Sequence, residues 1–532
     1  MRRLTTAINN FTEIIPGEYL LKTDFLLFAI LCLGIFARAW DFGKLPSGLI
    51  ADEASIGVAS FSLLHYGLDL NGVTFPIQFI SFGSGQNALY GYLMIPFIAI
   101  FGLKAVTVKL PMLICGILTL PLLYWVTRRT FDKRIALIST FFLAISPWHI
   151  MLSRFGLESN LLPFIFILGY ACLLKSFENG KWFIVACILL AGCLYTYGTT
   201  YLMIPLFMAC VLVILIRGNQ VRYNFMTAGF ATFMILSIPI GLFVLINLLG
   251  LDAIKIGPVT IPHLPTQPRF ESETGDLLNQ LPRTLAANSW ILINLLVKQS
   301  DGIIYNTIEP YGYFYGVTFP LAIIGVVLLF HSLNSHDATK ILLLLAWLGV
   351  SLIFGVIQPV NVNRINIIFI PILITMAVAV DWLGEKIAPI IPIAIFAFLL
   401  AFVAFTLHYH GAGYKKMADI KFHTGLLSAI QYVSTSAKGP ICMTSRIDMP
   451  YIYVLFVEKP DPKSYLSSIQ YINTDGQFRQ VRSVLRYTFG KENCVDQPDT
   501  AYLFRSDDGL PKTGGKYTVE VFNDFHVFVP KP

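Results

Sequence analysis

Residues 47–57 read SGLIADEASIG, with Asp52 and Glu53 side by side shortly after an apolar run at 25–37. A carboxylate there can act as a general base toward a hydroxyl. It can equally charge and cap the start of the helix ASIGVASFSLLHYG, and position alone leaves both open. Other polar side chains sit in equally apolar surroundings. SPWHIMLSRFGLESN (146–160) carries His149, Arg154 and Glu158, QPVNVNRIN (358–366) carries Asn361, Asn363 and Arg364, and SDGIIYN (300–306) carries Asp301, Tyr305 and Asn306. Gln86, Asn87 and Tyr90 lie in SGQNALY (84–90), and Lys109 precedes Leu110-Pro111. Arginine offers phosphate a planar fork of donors. Side-chain amides can bond sugar hydroxyls. Plainer readings exist for several of these residues. Arg154 and Glu158, four apart, can pair on one helical face. Arg364 beside IIFIPILI can snorkel. His149 after Pro147-Trp148 suits an interface anchor.

The elements that must position these residues are membrane helices. Of 532 residues, 55% are hydrophobic and 13% charged, against about 25% charged in soluble domains. Runs of roughly 20 apolar residues recur from 25 to 407, the length a crossing helix needs. Alternating barrel strands do not read this way. The net charge of +7 comes largely from Lys and Arg in short loops, and no basic run with interleaved aromatics points to nucleic acid. Ala37-Arg38-Ala39 loosely mimics a signal cleavage site, but the long preceding segment and the charged and aromatic residues Arg38, Trp40 and Asp41 suit a retained helix.

Positive-inside counting places residues 1–23, with Arg2, Arg3 and Lys22, in the cytoplasm, and TRRTFDKR (127–134) inside. The run 105–126 supplies the return crossing. The run 89–103, short and holding Pro96, then reads as lying in the outer interface. Helices at about 135–151, 161–176, 182–197, 201–216, 225–250, 317–331, 340–357, 365–382 and 387–408 follow. The expectation is about eleven crossings in a 24–408 membrane domain, with outer loops at 41–104 and 251–316, the latter including Arg269 and Glu271. Residues 409–532 read as an extracytoplasmic α/β domain. It has one helix over GYKKMADIKFHTGLLSAIQYVSTSA and strands near 440–445, 479–489, 500–505 and 516–530, judged by alternation and β-branched content. It is expected to dock or shape substrate. Cys442 and Cys494 lie in it, and whether they are bridged is open. The other cysteines fall in apolar segments as packing residues.

On this topology the unusual polar residues share the outer side, where ionisable groups at membrane depth default to functional or paired roles. An acid, an arginine, aromatics and apolar walls together suit sugar transfer from a lipid-phosphate carrier. The chain also resembles the bacterial branch of the dolichyl-phosphate-mannose protein mannosyltransferase family, GT-C-fold enzymes related to the lipid A aminoarabinose transferase. ADEA (51–54), NALYGYLMIPFIAIFG (87–102), VKLPMLICGILTLPLLYWVTRR (108–129) and SPWHIMLSRFGLESN (146–160) carry the resemblance.

The resemblance implies an inverting transferase that uses a polyprenyl-phosphate sugar on the extracytoplasmic face of the cell membrane. It implies Asp52 as base and Arg364 on the donor phosphate, and Glu53 joins Asp52 as a catalytic candidate, a helper or a helix-start charge. Asn363, Arg154 and Lys109 join the phosphate candidates. Gln86, Asn87, Tyr90, Glu158, Asp301 and Tyr305 are the candidates for sugar or acceptor contact. Gln86-Asn87 and Lys109 stand where relatives often carry other residues. No metal-ligand spacing and no Gly-rich phosphate loop appear, so no cofactor is expected. The partners expected are the lipid-linked donor, the bilayer and an outer acceptor: protein, wall polymer or glycolipid. A transporter of lipid-linked saccharides would instead show a polar path or inverted repeats. A GT-C ligase or polymerase would need no acid after the first helix.

Overall fold

Long apolar runs satisfy their own backbone hydrogen bonds as helices, the arrangement a bilayer demands of an open chain. The computed structural model describes residues 17–265, 281–316, 318–334, 338–473, 478–495, 497–509 and 516–531, with side chains from residue 24. Arg269 and Glu271 lie outside the described residues. The chain begins with α1 (Gly17–Ala39), then α2 (Ala51–Tyr66), the hairpin β1 (Gln78–Ser81) and β2 (Ser84–Asn87), α3 (Leu89–Phe101) and α4 (Ala105–Thr130). It continues through α5 (Lys133–Ile145), α6 (Pro147–Leu152), α7 (Glu158–Lys175), α8 (Lys181–Cys193), α9 (Thr200–Gly218) and α10 (Tyr223–Leu249). A second hairpin, β3 (Ile254–Ile256) and β4 (Val259–Ile261), precedes α11 (Leu281–Lys298), α12 (Phe319–His331), α13 (Ala338–Ile357), α14 (Val362–Ile365), α15 (Phe369–Lys386) and α16 (Ile390–Tyr409).

Among the described residues, seven helices are long and apolar enough to cross a membrane: α4, α7, α9, α10, α13, α15 with its preceding turn, and α16. The protein is a multi-pass membrane protein. The thirteen residues of α3 rise about 20 Å, short of a hydrocarbon core of about 30 Å. α12 packs on α15 at Gly325, where a Cβ would collide with the Thr375 carbonyl. Small residues permit such close helix approach.

Three segments differ from the sequence reading. The helix expected over 135–151 breaks at Ser146-Pro147, where Ser146 caps α6 and donates to the Tyr313 carbonyl. The 251–316 loop is not all loop: α11 forms in it and packs on α13. The helix expected from residue 413 onward is two, α17 (Ala412–Lys421) and α18 (Leu426–Ser436), parted at Phe422–Gly425.

Beyond α18 come β5 (Ile441–Met443), α19 (Pro450–Glu458), α20 (Pro462–Ser468), β6 (Gln470–Asn473), β7 (Gln480–Val484), β8 (Tyr487–Phe489), β9 (Ala501–Arg505), β10 (Tyr517–Phe522) and β11 (Phe525–Pro530). They make one mixed sheet in the order β10-β11-β9-β5-β8-β7-β6, with β5 parallel to β8 and β9. The expected strands are present, and α19, α20 and β6 add to them. Cys442 and Cys494 are bridged, with Cα atoms 5.7 Å apart. This region packs on the membrane domain through α19, which lies along α2.

Candidate active site

The chain between α1 and α2 is irregular, and its carbonyls need donors. Two buried cations, Arg154 and Lys109, supply donors to them, and a third, Arg38, ties the end of α1 to α5. Arg38 donates to the carbonyls of Gly34, Leu143 and Ala144 and meets His149 Nδ1 at 2.7 Å. Arg154 donates to Leu45, Arg38 and Trp40 at 2.7–3.0 Å and stacks over Tyr409. Lys109 donates to Pro46 at 2.9 Å and Gly48 at 2.6 Å. This corrects two expectations. Lys109 and Arg154, nominated for phosphate, are spent on the backbone that leads into α2. Nor does Arg154 pair with Glu158 through helical spacing, because residues 153–157 leave the helix between α6 and α7.

The two adjacent carboxylates part company at the start of α2, since neighbours on a helix point about 100° apart. Glu53 faces inward and is 0% exposed. It accepts from Gly156 N–H at 2.6 Å and Ile50 N–H at 3.1 Å. Burial raises its pKa, opposed by Lys109 and by these two N–H groups. Glu53 is therefore a brace between two loops, a correction to its expected catalytic share. Asp52 is half-buried.

Around Asp52 gather the other site residues. β2 presents Gln86, whose amide donates to Glu158 Oε2 at 3.2 Å and the Asp52 carbonyl at 3.4 Å. The turn of this hairpin is Phe82-Gly83, both at positive φ, the pairing a tight two-residue hairpin turn prefers. Among the described residues, buried Gln86 Oε1 has no hydrogen-bond partner, nor has Asn363 Oδ1. Tyr305 receives a side-chain hydrogen bond from Asn363, and its pKa is raised by burial first, then by Asp52, Asp301 and Tyr197. Tyr197, whose charge the same ring feels, joins the site here. Arg364 follows Asn363, half-buried, with one guanidinium nitrogen on the Pro359 carbonyl at 3.0 Å.

The remaining candidates serve the frame. Asp301 accepts from Ile303 N–H, Asn306 and Val362 N–H, tying its loop to α14. Tyr90 is buried and donates to the Val108 carbonyl at 2.6 Å, so it is a packing pin, not a sugar contact. Asn87 donates to the Leu194 carbonyl and Tyr201. Among the described residues, no group of three or more His, Cys, Asp or Glu is arranged to hold a metal ion.

The assembly lies at the end of the bundle where α1 and α16 finish and α4, α7 and α15 begin. The C-terminal region reaches it too. Tyr453 donates to the Leu49 carbonyl at 3.4 Å, and Ser47 and Thr424 share a 2.7 Å hydroxyl contact.

A sequence profile described as dolichyl-phosphate-mannose-protein mannosyltransferase matches residues 87–243. No curated protein matches the chain. Among solved structures, ArnT from Cupriavidus metallidurans bound to undecaprenyl phosphate aligns with a TM-score of 0.52 at 13% identity, over 97% of this chain and 98% of that one. Its apo state gives 0.48 at 12% identity, over 96% and 98%. The apo oligosaccharyltransferase of Archaeoglobus fulgidus gives 0.49 at 14% identity, over 82% of this chain, which spans 63% of that protein. The fold is that of the GT-C membrane glycosyltransferases.

Proposed function

We propose that the chain is an inverting glycosyltransferase. It moves a sugar from a polyprenyl-phosphate donor to an extracytoplasmic hydroxyl, with Asp52 as general base. One observation supports the reading: of two adjacent carboxylates, one is committed to backbone N–H groups, while the other is half-buried and its charge is felt by Tyr305, the ring that Asn363 bonds. Asp52 takes the acceptor's proton. The acceptor oxygen bonds the anomeric carbon from the face opposite the phosphate. The carbon–phosphate-oxygen bond breaks, and its electron pair leaves with the phosphate. A single displacement of this kind inverts the centre.

Arg364 steadies the departing charge. Gln86, Glu158 and Asn363 orient the sugar hydroxyls. An apolar cleft of about 420 Å³, lined by Phe75, Pro76, Ile77, Leu89, Tyr92 and Tyr195, suits an isoprenoid tail. About eleven crossings, with the basic loops inside, put the site on the outer face. A transporter would need a polar route across the membrane, whereas these side chains gather at one end.

The test is Asp52→Asn, assayed with a panel of polyprenyl-phosphate sugars and membrane acceptors. Transfer should fall on the order of a hundredfold or more at unchanged folded yield. Equal transfer by both proteins would mean that Asp52 is not the base.

A further inference from the structure

The site has fewer available cations than its sequence suggests. Arg38, Lys109 and Arg154 are buried and engaged with backbone carbonyls. A departing phosphate carries up to two negative charges, and Arg364 supplies one positive charge. We infer that Lys421, contributed by the C-terminal region, is a second cation of this site, and that it contacts the carrier phosphate. This inference rests on the transferase reading above.

Lys421 is the last residue of α17, and its side chain is exposed. Its ammonium stands 5.8 Å from the centre of the Tyr305 ring. That same ring feels Asp52 and takes the hydrogen bond from Asn363, the neighbour of Arg364. Lys421 thus approaches the ring that joins the base to the late arginine-bearing turn.

The residues C-terminal to Lys421 fix its position. Phe422 is buried against Phe155 and Tyr305, with ring centres 6.1 Å away in each case, and lies under Lys109 at 5.0 Å. Its carbonyl passes so close to Gly48 that a Cβ there would collide with it. Thr424 meets Ser47, and Gly425 turns the chain at φ +93°. The break between α17 and α18 is therefore a plug seated on the loop that leads to Asp52. Lys421 stands at its edge, backbone held and ammonium open. An ammonium on a flexible stem follows a phosphate as a point charge, complementing the directional guanidinium of Arg364.

The experiment compares binding of undecaprenyl phosphate and undecaprenol to the purified full-length chain, with no acceptor present. The wild type should prefer the phosphate. Lys421→Gln should cut that preference about tenfold, the size of one charge-assisted contact, while leaving undecaprenol binding unchanged. Lys421→Arg should restore most of it. Lys415→Gln, exposed on the same helix, should keep it. An undiminished preference in Lys421→Gln would overturn the assignment and leave the transferase reading intact. An equal loss in Lys415→Gln would also overturn it, tracing the effect to the general charge of α17. No phosphate preference in the wild type would overturn both readings.

Discussion

The two ends of the helical bundle use their cations differently. At the end where α4 finishes and α5 begins, Arg and Lys side chains that reach the surface meet carboxylates. Arg134 pairs with Asp381 at 2.5 Å, Lys133 with Asp24 at 3.6 Å, and Arg129 with Glu178. Lys175 lies 4.0 Å over Trp182. At the site end, Arg38, Lys109 and Arg154 are buried, and the hydrogen bonds of Lys109 and Arg154 go to backbone carbonyls. The difference comes from the chain they face. Helix ends joined by short loops near the surface need few buried donors. An irregular segment sealed from water exposes carbonyls that must be satisfied, and one guanidinium can satisfy several. Like residues thus pair with carboxylates at one end and hold an irregular loop in place at the other.

That comparison can be broken from either side. Arg154→Ala leaves the carbonyls of Leu45, Arg38 and Trp40 without their donor, and each orphan costs about 1–3 kcal/mol. We expect a loss of about 3–5 kcal/mol, read as a large drop in thermal midpoint together with loss of any Asp52-dependent activity. A midpoint within a degree of wild type would deny the clamp.

The plug should be sensitive to pH. His423 is pushed down from 6.5 to about 4, by burial first and then by Arg505 and Lys421. Between those values the unfolded chain binds a proton that the folded chain refuses. Stability is therefore fully present above about 6.5 and is lost as pH falls toward 4, by up to about 3 kcal/mol. His423→Gln should flatten the profile of melting against pH in that window, and an unchanged slope would remove His423 as its source.

Gly48→Ala forces a methyl onto the Phe422 carbonyl and should cost about 1–3 kcal/mol. The effect should be visible as faster proteolysis between α16 and α18. Protection equal to wild type would mean the contact gives way without cost. Smallest of all, Lys133→Ala at the other end removes a solvent-reached pair with Asp24 and should change stability by less than about 1 kcal/mol. A loss matching that of Arg154→Ala would erase the contrast between the ends.

Much of this was legible in the sequence because the signals are local. Apolar runs of crossing length mark helices wherever they fall. Alternation marked β5, β7, β9, β10 and β11. The weight of polar residues after α1, before α7 and before α15 pointed to one end of the bundle. α11 could also have been read, since LPRTLAANSWILINLLVK repeats apolar residues at helical spacing.

The adjacency of Asp52 and Glu53 on a helix guaranteed that the two acids would face differently, but not which would face the site. That depended on Gly156 and Lys109, far along the chain, coming to Glu53. Charge alone made Lys109 and Arg154 look like phosphate ligands, because nothing local says that loop 38–48 needs their donors more. Lys421 passed unnoticed inside what read as one long helix, and only the break at Phe422–Gly425 turned it toward Tyr305. The sequence by itself determined which segments are helices and which residue types stand at their ends, since periodicity and hydropathy act over a few turns. The division of those residues between frame and site was left to the tertiary structure, because burial and hydrogen-bond satisfaction depend on contacts between residues tens to hundreds of positions apart.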